Sequence, residues 1–172
     1  LTFRYSPHAV FLPNCKMRLN DLKEAEMLVT DYINTIENTR KIGKNKDLIN
    51  KISVERIATE FKKMIVGKNV RDVLLEFRDI VAVFIPEIEK TFDFDQKNDW
   101  HTFNVYEHIV RSVASVEQNE VLRLAMFFHD IGKPATFTLD ETGRGHFRGH
   151  AEAGAEIADR ILLRLKAPTA LR

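Results

Sequence analysis

Apolar residues recur every three to four positions along most of this 172-residue chain, and only 7 glycines and 5 prolines interrupt them. That spacing lines apolar side chains along one stripe of a helix, and the shortage of Gly and Pro leaves few places to break one. The chain therefore reads as all-α. Leu1 to Lys16 has no clear period and reads as irregular. Asn20 predicts the cap of a helix from Asp21 to about Arg40, striped by Leu22, Ala25, Leu28, Val29, Tyr32, Ile33 and Ile36. A second helix starts at Ser53, buries Ile57, Phe61, Met64 and Ile65, and stops at Gly67. Asn69 opens a third, with Val70, Val73, Leu74, Phe77, Val81 and Phe84 inward, ending before Pro86.

Residues 92–98 are polar and non-periodic, which predicts a loop and a seam between an N-terminal appendage and a C-terminal core. Beyond it, helices are expected from Phe103 to about Val116 and from Glu120 to Asp130. The second of these is nearly all apolar and is expected at the centre of the fold. Gly132 and Pro134 should end it. Alternation in Thr136–Leu139 and His146-Phe147, around a turn at Asp140–Gly145, predicts a small β-hairpin. A last helix should run from Gly149 to about Lys166.

Composition excludes several classes of function. With 44% apolar and 30% charged residues the chain is globular, and a net charge of +1 argues against a general polyanion binder, although a local basic face remains open. The longest apolar run, Ile80 to Ile85, is far too short to cross a bilayer, so no membrane partner is expected. A single cysteine, Cys15, fits a reducing, cytoplasmic setting. No signal peptide is visible. The absence of an initiator methionine and the stop in mid-pattern at Ala170-Leu171-Arg172 suggest a piece of a longer protein.

The chemistry gathers around histidine. Five of the six histidines lie between His101 and His150, and imidazole is the commonest side chain for binding transition metals. His129-Asp130 ends the apolar helix, just before Gly132-Lys133-Pro134. Imidazole with carboxylate is a mixed N/O set suited to zinc, iron, nickel, cobalt or manganese. The plainer reading makes His129 an electrostatic helix cap and Asp130 a turn residue. His108 stands mid-helix near the inward face, and His150 opens a helix rich in small residues after Gly149. Packing alone poorly explains a His on each of three helices, at buried or glycine-marked positions.

These segments carry a resemblance. His108, then His129-Asp130-Ile131-Gly132-Lys133-Pro134, then Gly145-His146-Phe147-Arg148-Gly149-His150-Ala151-Glu152-Ala153-Gly154-Ala155-Glu156 resembles the HD superfamily of metal-dependent phosphohydrolases. Within it, the chain is most similar to the HD domain and neck of bacterial CCA-adding tRNA nucleotidyltransferase and poly(A) polymerase family proteins. Residues 95–108 look like the segment leading to the first HD ligand, and residues 52–60 like the start of the RNA-binding neck. The resemblance implies an all-helical HD bundle with a small hairpin, preceded by a helical appendage. It divides the chain into a poorly matched start (1–50), a neck-like region (51–91) and an HD domain truncated at its C-terminal end (92–172).

It also implies a divalent ion (nickel, manganese, magnesium, zinc, iron or cobalt) held by His108, His129 and Asp130. His150 and His146 are implied as second-ion or phosphate-contacting residues. The implied substrate is a nucleotide or phosphodiester. Asp130 could orient a water with its second oxygen, and Lys133 and Arg148 could neutralise charge on a phosphate. The plainer reading of both cations is a solvated surface charge. The family's closing aspartate should follow Arg172, with Asp159 too early to replace it, so this segment alone is expected to turn over weakly. No nucleotidyltransferase head is present. His8 and Cys15 are expected away from the site, His101 at a helix entry, and Trp100 packed over the loop. An alternative makes the chain a non-catalytic, tRNA-binding and dimerising body, with Arg40, Lys41, Lys44, Lys46, Lys51, Arg56, Lys62 and Lys63 meeting phosphates. A third reading is a purely structural helical module.

Overall fold

The computed structural model describes Ile49, residues 51–98 and residues 102–172. The helix expected from Asp21 to about Arg40, His8, Cys15, Trp100 and His101 lie outside the described residues. Helices dominate: α1 (Val54–Val66), α2 (Val70–Glu76), α3 (Arg78–Phe84), α4 (Val105–Ser115), α5 (Glu120–Phe128), the single turn α6 (Lys133–Thr136) and α7 (His150–Arg164). The only sheet among the described residues is a hairpin, β1 (Thr138–Leu139) antiparallel to β2 (Gly145–His146), with Thr138 opposite His146. The all-α expectation, with its minor hairpin, holds.

Local chemistry explains the boundaries. Asn104 and Asn119 cap α4 and α5, their side-chain oxygens accepting from the N–H groups of Glu107 (2.8 Å) and Leu122 (3.1 Å). Gly149, at φ 79°, enters α7 in a left-handed conformation that a side chain would strain. Pro134 stands in the first turn of α6, where its missing N–H costs nothing. It starts a helical turn as well as following the end of α5.

Two expectations need correction. The third helix is two helices, because the backbone departs from helical geometry at Phe77 (φ −105°, ψ 24°). Its apolar pattern runs unbroken across the break, so periodicity could not show it. The halves pack differently: α2 lies against α4, and α3 against the 3-10 turn at Pro86–Thr91. Second, α5 is not buried all round. Arg123, Leu124, Phe127 and Phe128 face inward, while Val121 and Leu122 are 56% and 45% exposed.

One hydrophobic cluster joins Phe61 and Ile65 of α1, Leu74 of α2 and Val81 of α3 to Val105, Ile109, Val110 and Val113 of α4, Phe127 of α5 and Ile161 of α7. The loop expected at 92–98 is present, but the side chains on either side of it share this core. Two buried polar groups tie the layers. Tyr106 of α4 donates its hydroxyl to the Leu74 carbonyl at 2.7 Å, and burial pushes its phenol above the ordinary value. Arg123 of α5, 3% exposed, donates to the carbonyls of Ile65 (2.8 Å), Gly67 (2.7 Å) and Glu117 (3.2 Å). The first two lie at the C-terminus of α1, where unpaired carbonyls carry partial negative charge.

Arg123→Met should therefore leave those carbonyls without donors in a dry site. We expect a loss of about 3 kcal/mol in urea unfolding. A loss below about 1 kcal/mol would mean that water replaces the guanidinium without cost.

Candidate metal centre

The site forms where α5 ends. His129 and Asp130 follow its last helical residue, and the chain then turns through Ile131 and Gly132 into α6. Asp130 is 3% exposed although it carries a carboxylate. A charge so placed needs partners, and four are present. Its Oδ2 lies 2.7 Å from Lys133 Nζ, 3.2 Å from His129 Nε2 and 3.4 Å from His108 Nε2, and its Oδ1 lies 3.6 Å from His150 Nε2. These side chains come from α4, the end of α5, α6 and α7, so the whole bundle converges on one carboxylate.

The histidines are aimed. His129 Nδ1 lies 2.7 Å from the Met126 carbonyl and His150 Nδ1 lies 2.7 Å from that of Phe147. Each Nδ1–H donates to its carbonyl, which fixes the ring and turns Nε2 toward Asp130. His129 Nε2 and His108 Nε2 are 3.3 Å apart. Burial pushes the His129 imidazole down, but Asp130 and the Met126 carbonyl outweigh it, so its pKa is raised. Burial likewise pushes the Asp130 carboxyl up, yet His129 and Lys133 hold it well below the ordinary range.

The donor set fits a metal ion. His108 Nε2, His129 Nε2 and Asp130 Oδ2 form a nearly equilateral triangle with sides of 3.2, 3.3 and 3.4 Å. An ion about 2.1 Å from each of three donors spaces them roughly 3.0–3.4 Å apart. Asp130 Oδ2 is also buried without an aligned hydrogen-bond donor, since Lys133 meets it as an ion pair. Two imidazole nitrogens and one buried carboxylate oxygen suit a first-row divalent cation better than calcium.

The other sequence candidates divide. His150 reaches the same carboxylate from the opposite oxygen. His146 Nε2 lies 2.7 Å from Asp140 Oδ2 in the hairpin, and the three-donor cluster does not include it. Arg148 is exposed between them. Lys133 is 5% exposed, with its ammonium 2.8 Å from Gln96 Oε1 and 5.3 Å from the centre of the Phe147 ring. It is not a solvated surface charge. Asp159 is held by Arg172 at 2.9 Å, away from the cluster.

Sequence reasoning missed Gln96, a buried amide at the site's edge. The small residues after His150, expected to let that helix approach another closely, do so at two glycines. A Cβ on Gly132 would fall 2.2 Å from the His150 carbonyl oxygen and 2.5 Å from the Gly154 nitrogen. That close backbone approach seats α7, and with it His150, against the His129-Asp130 turn. The small residues of α7 carry that signal in the sequence; that Gly132 is their partner is visible only in the fold.

Residues 99–171 match the HD domain family, and residues 36–92 match the probable RNA and SrmB-binding site of polymerase A. Both matches fall on the segments that carry the sequence resemblance, an HD-type stretch behind an RNA-binding-type stretch. It is 36% identical over 102 residues to an A-adding tRNA nucleotidyltransferase of Deinococcus radiodurans, covering 56% of this chain and 23% of that one. It is 39% identical over 101 residues to a CC-adding tRNA nucleotidyltransferase of Thermus thermophilus, covering 55% and 23%. A multifunctional CCA protein of Legionella pneumophila is 27% identical over 124 residues, covering 69% and 30%. The chain therefore spans about a quarter of the length of these relatives. No solved structure matches it.

Gly132→Ala should push α7 off the turn. We expect a loss of about 1–3 kcal/mol, as for overpacking elsewhere, and a changed imidazole environment for His150 by NMR; a variant with neither would show that the backbone yields freely. A second expectation concerns pH. Asp140 accepts from the Thr142 hydroxyl (2.6 Å), the Thr142 N–H (2.9 Å) and the Arg144 N–H (3.0 Å), and it faces His146. These contacts hold its carboxyl well below the ordinary range. A depressed folded value means that its stabilisation of the hairpin is complete above the ordinary value of about 3.9 and fades as pH falls below it. In a His146→Gln background, which removes the neighbouring imidazole, the amide shifts of Thr142 and Arg144 should stay constant from neutrality to about that value, then move. A transition centred above it would contradict the assignment.

Proposed function

We propose that this chain contributes a metal-dependent phosphohydrolase domain, acting on nucleotide or phosphodiester substrates, to a tRNA nucleotidyltransferase-like protein. The observation that carries the reading is the triangle of His108, His129 and Asp130. Three ligand-type atoms meet at the spacing of a coordination sphere, one of them a buried carboxylate oxygen that Lys133 meets as an ion pair. A divalent ion there would lower the pKa of a bound water and polarise a phosphoryl oxygen.

The chain's own residues supply the rest. His108 and His129 present their Nε2 atoms, with the His129 ring oriented by the Met126 carbonyl. Asp130 supplies the negative charge and keeps a second oxygen, Oδ1, facing His150 at 3.6 Å, where it can hold a water or a further cation. His150 is oriented by the Phe147 carbonyl. Lys133 neutralises Asp130, and the exposed Arg148 would be the cation that meets a substrate phosphate. His146, held by Asp140, would serve the phosphate rather than the first ion.

A second reading, a non-catalytic tRNA-binding body, is favoured by the match of residues 36–92 to a probable RNA-binding site. Among the described basic residues proposed for it, Lys51 and Arg56 are exposed. Lys62 and Lys63 are engaged by Glu120 and Glu60, both at 2.9 Å.

Calorimetric titration with manganese or nickel should show binding that His129→Ala abolishes and His108→Ala weakens by at least about tenfold. Metal-dependent cleavage of a chromogenic phosphodiester or of 2′,3′-cyclic nucleotides should vanish in the same variants. Binding without any cleavage, together with tRNA affinity that falls with salt, would favour the second reading. Unchanged metal stoichiometry in His129→Ala would overturn the ligand assignment.

A further inference from the structure

Gln96 and Lys133 form a buried pair that reaches the proposed metal site from behind, and neither position is explained by packing. Gln96 is 2% exposed and sits in the loop ahead of α4. Its Nε2 donates to the Phe103 carbonyl at 3.0 Å, and its Oε1 accepts from Lys133 Nζ at 2.8 Å. The loop is pinned from the other side. The Gly145 N–H donates to the Lys97 carbonyl at 2.7 Å, and a Cβ on Gly145 would fall 2.1 Å from the Gln96 carbonyl oxygen. The amide of Gln96 is thus fixed in place, with its oxygen aimed at an ammonium.

That ammonium has two acceptors. Lys133 Nζ lies 2.7 Å from Asp130 Oδ2 and 2.8 Å from Gln96 Oε1, with the Phe147 ring 5.3 Å away on a further side. Asp130 Oδ2 is the same atom that His108 and His129 face. An ammonium and a divalent ion on one carboxylate oxygen repel each other strongly where water is excluded. From this geometry we propose that Lys133 is a built-in counter-ion that competes with the metal for Asp130, and that Gln96 is the second acceptor that takes up its ammonium when a metal binds. Gln96 is then a positioning residue acting through Lys133, and together they set how tightly the site takes its ion. This rests on the metal reading above.

The competition has a direction. With Lys133 removed, Asp130 keeps its charge and loses its internal partner, so the metal-free protein is less stable and the site binds a cation more tightly. With Gln96 removed, Lys133 has Asp130 as its remaining polar acceptor, and a metal must displace it without compensation. If Gln96 acts only through Lys133, its effect disappears once Lys133 is gone. A role limited to bracing the loop through Phe103 would persist.

The test uses the whole chain, cobalt(II) as the probe, calorimetry for affinity and the visible cobalt spectrum for coordination. Lys133→Met should bind cobalt about tenfold more tightly, and Gln96→Met about tenfold more weakly, the scale of outer-shell effects on metal sites. The double variant should match Lys133→Met. Cobalt should also raise the melting temperature of Lys133→Met by more than it raises that of the unmodified chain. Circular dichroism checks that each variant folds, and Lys133→Gln, expected to shift affinity the same way, replaces Lys133→Met should that variant fail to fold. Equal or weaker cobalt binding on loss of Lys133 would overturn the competition. A Gln96→Met deficit that survives in the double variant would overturn the role of Gln96. An unmodified chain that takes up no cobalt would remove the metal reading itself, a result distinct from either.

Discussion

A carboxylate in a dry interior is the constraint around which the rest of this structure is arranged. An isolated charge at 3% exposure would be prohibitive, so Asp130 can stay ionised only because cations and polarised hydrogens converge on it. Lys133 supplies a full charge, and three imidazoles stand within 3.6 Å. The α4, α5, α6 and α7 segments each bring one of these groups. Their packing, down to the contact of Gly132 with α7, has to satisfy the carboxylate as well as the hydrophobic cluster. Removing one partner would leave the carboxylate less fully compensated and lean it on the others.

Much of this was readable in the sequence. The helices expected from Phe103 to about Val116 and from Glu120 to Asp130 correspond to α4 and α5, which run Val105–Ser115 and Glu120–Phe128 with asparagine caps at Asn104 and Asn119 that the apolar period does not mark. His108, His129 and Asp130 were recognisable as a set through residue type and order, and the structure places their donor atoms together. The match to the HD domain over residues 99–171 spans all three of them.

What the sequence hid has physical causes. The break at Phe77 leaves the apolar period intact, because one non-helical residue scarcely shifts the stripe that α2 and α3 share. Gln96 lies in a polar, non-periodic loop. Nothing in such a stretch marks one amide as 2% exposed, since its burial comes from partners near positions 103, 133 and 145. Lys133 was visible as a cation beside the ligand pair. That it points inward depends on α6 turning back toward the loop, a matter of tertiary structure. Arg123, in an otherwise apolar helix, reads as a solvent-facing charge until α1 is seen to end against it.

That last contact gives α5 two jobs at its two ends. Near its start, Arg123 grips the terminal carbonyls of α1, a helix inside the segment that matches a probable RNA-binding site. Just past its end stand His129 and Asp130. Five residues of helix separate the grip from the first ligand, about 9 Å at the helical rise, and a helix is stiff over that length. The helix is therefore a short strut. A tilt of α1 that drew Arg123 along would carry the ligand turn with it, so the two matched segments are joined by a load-bearing rod as well as by the chain.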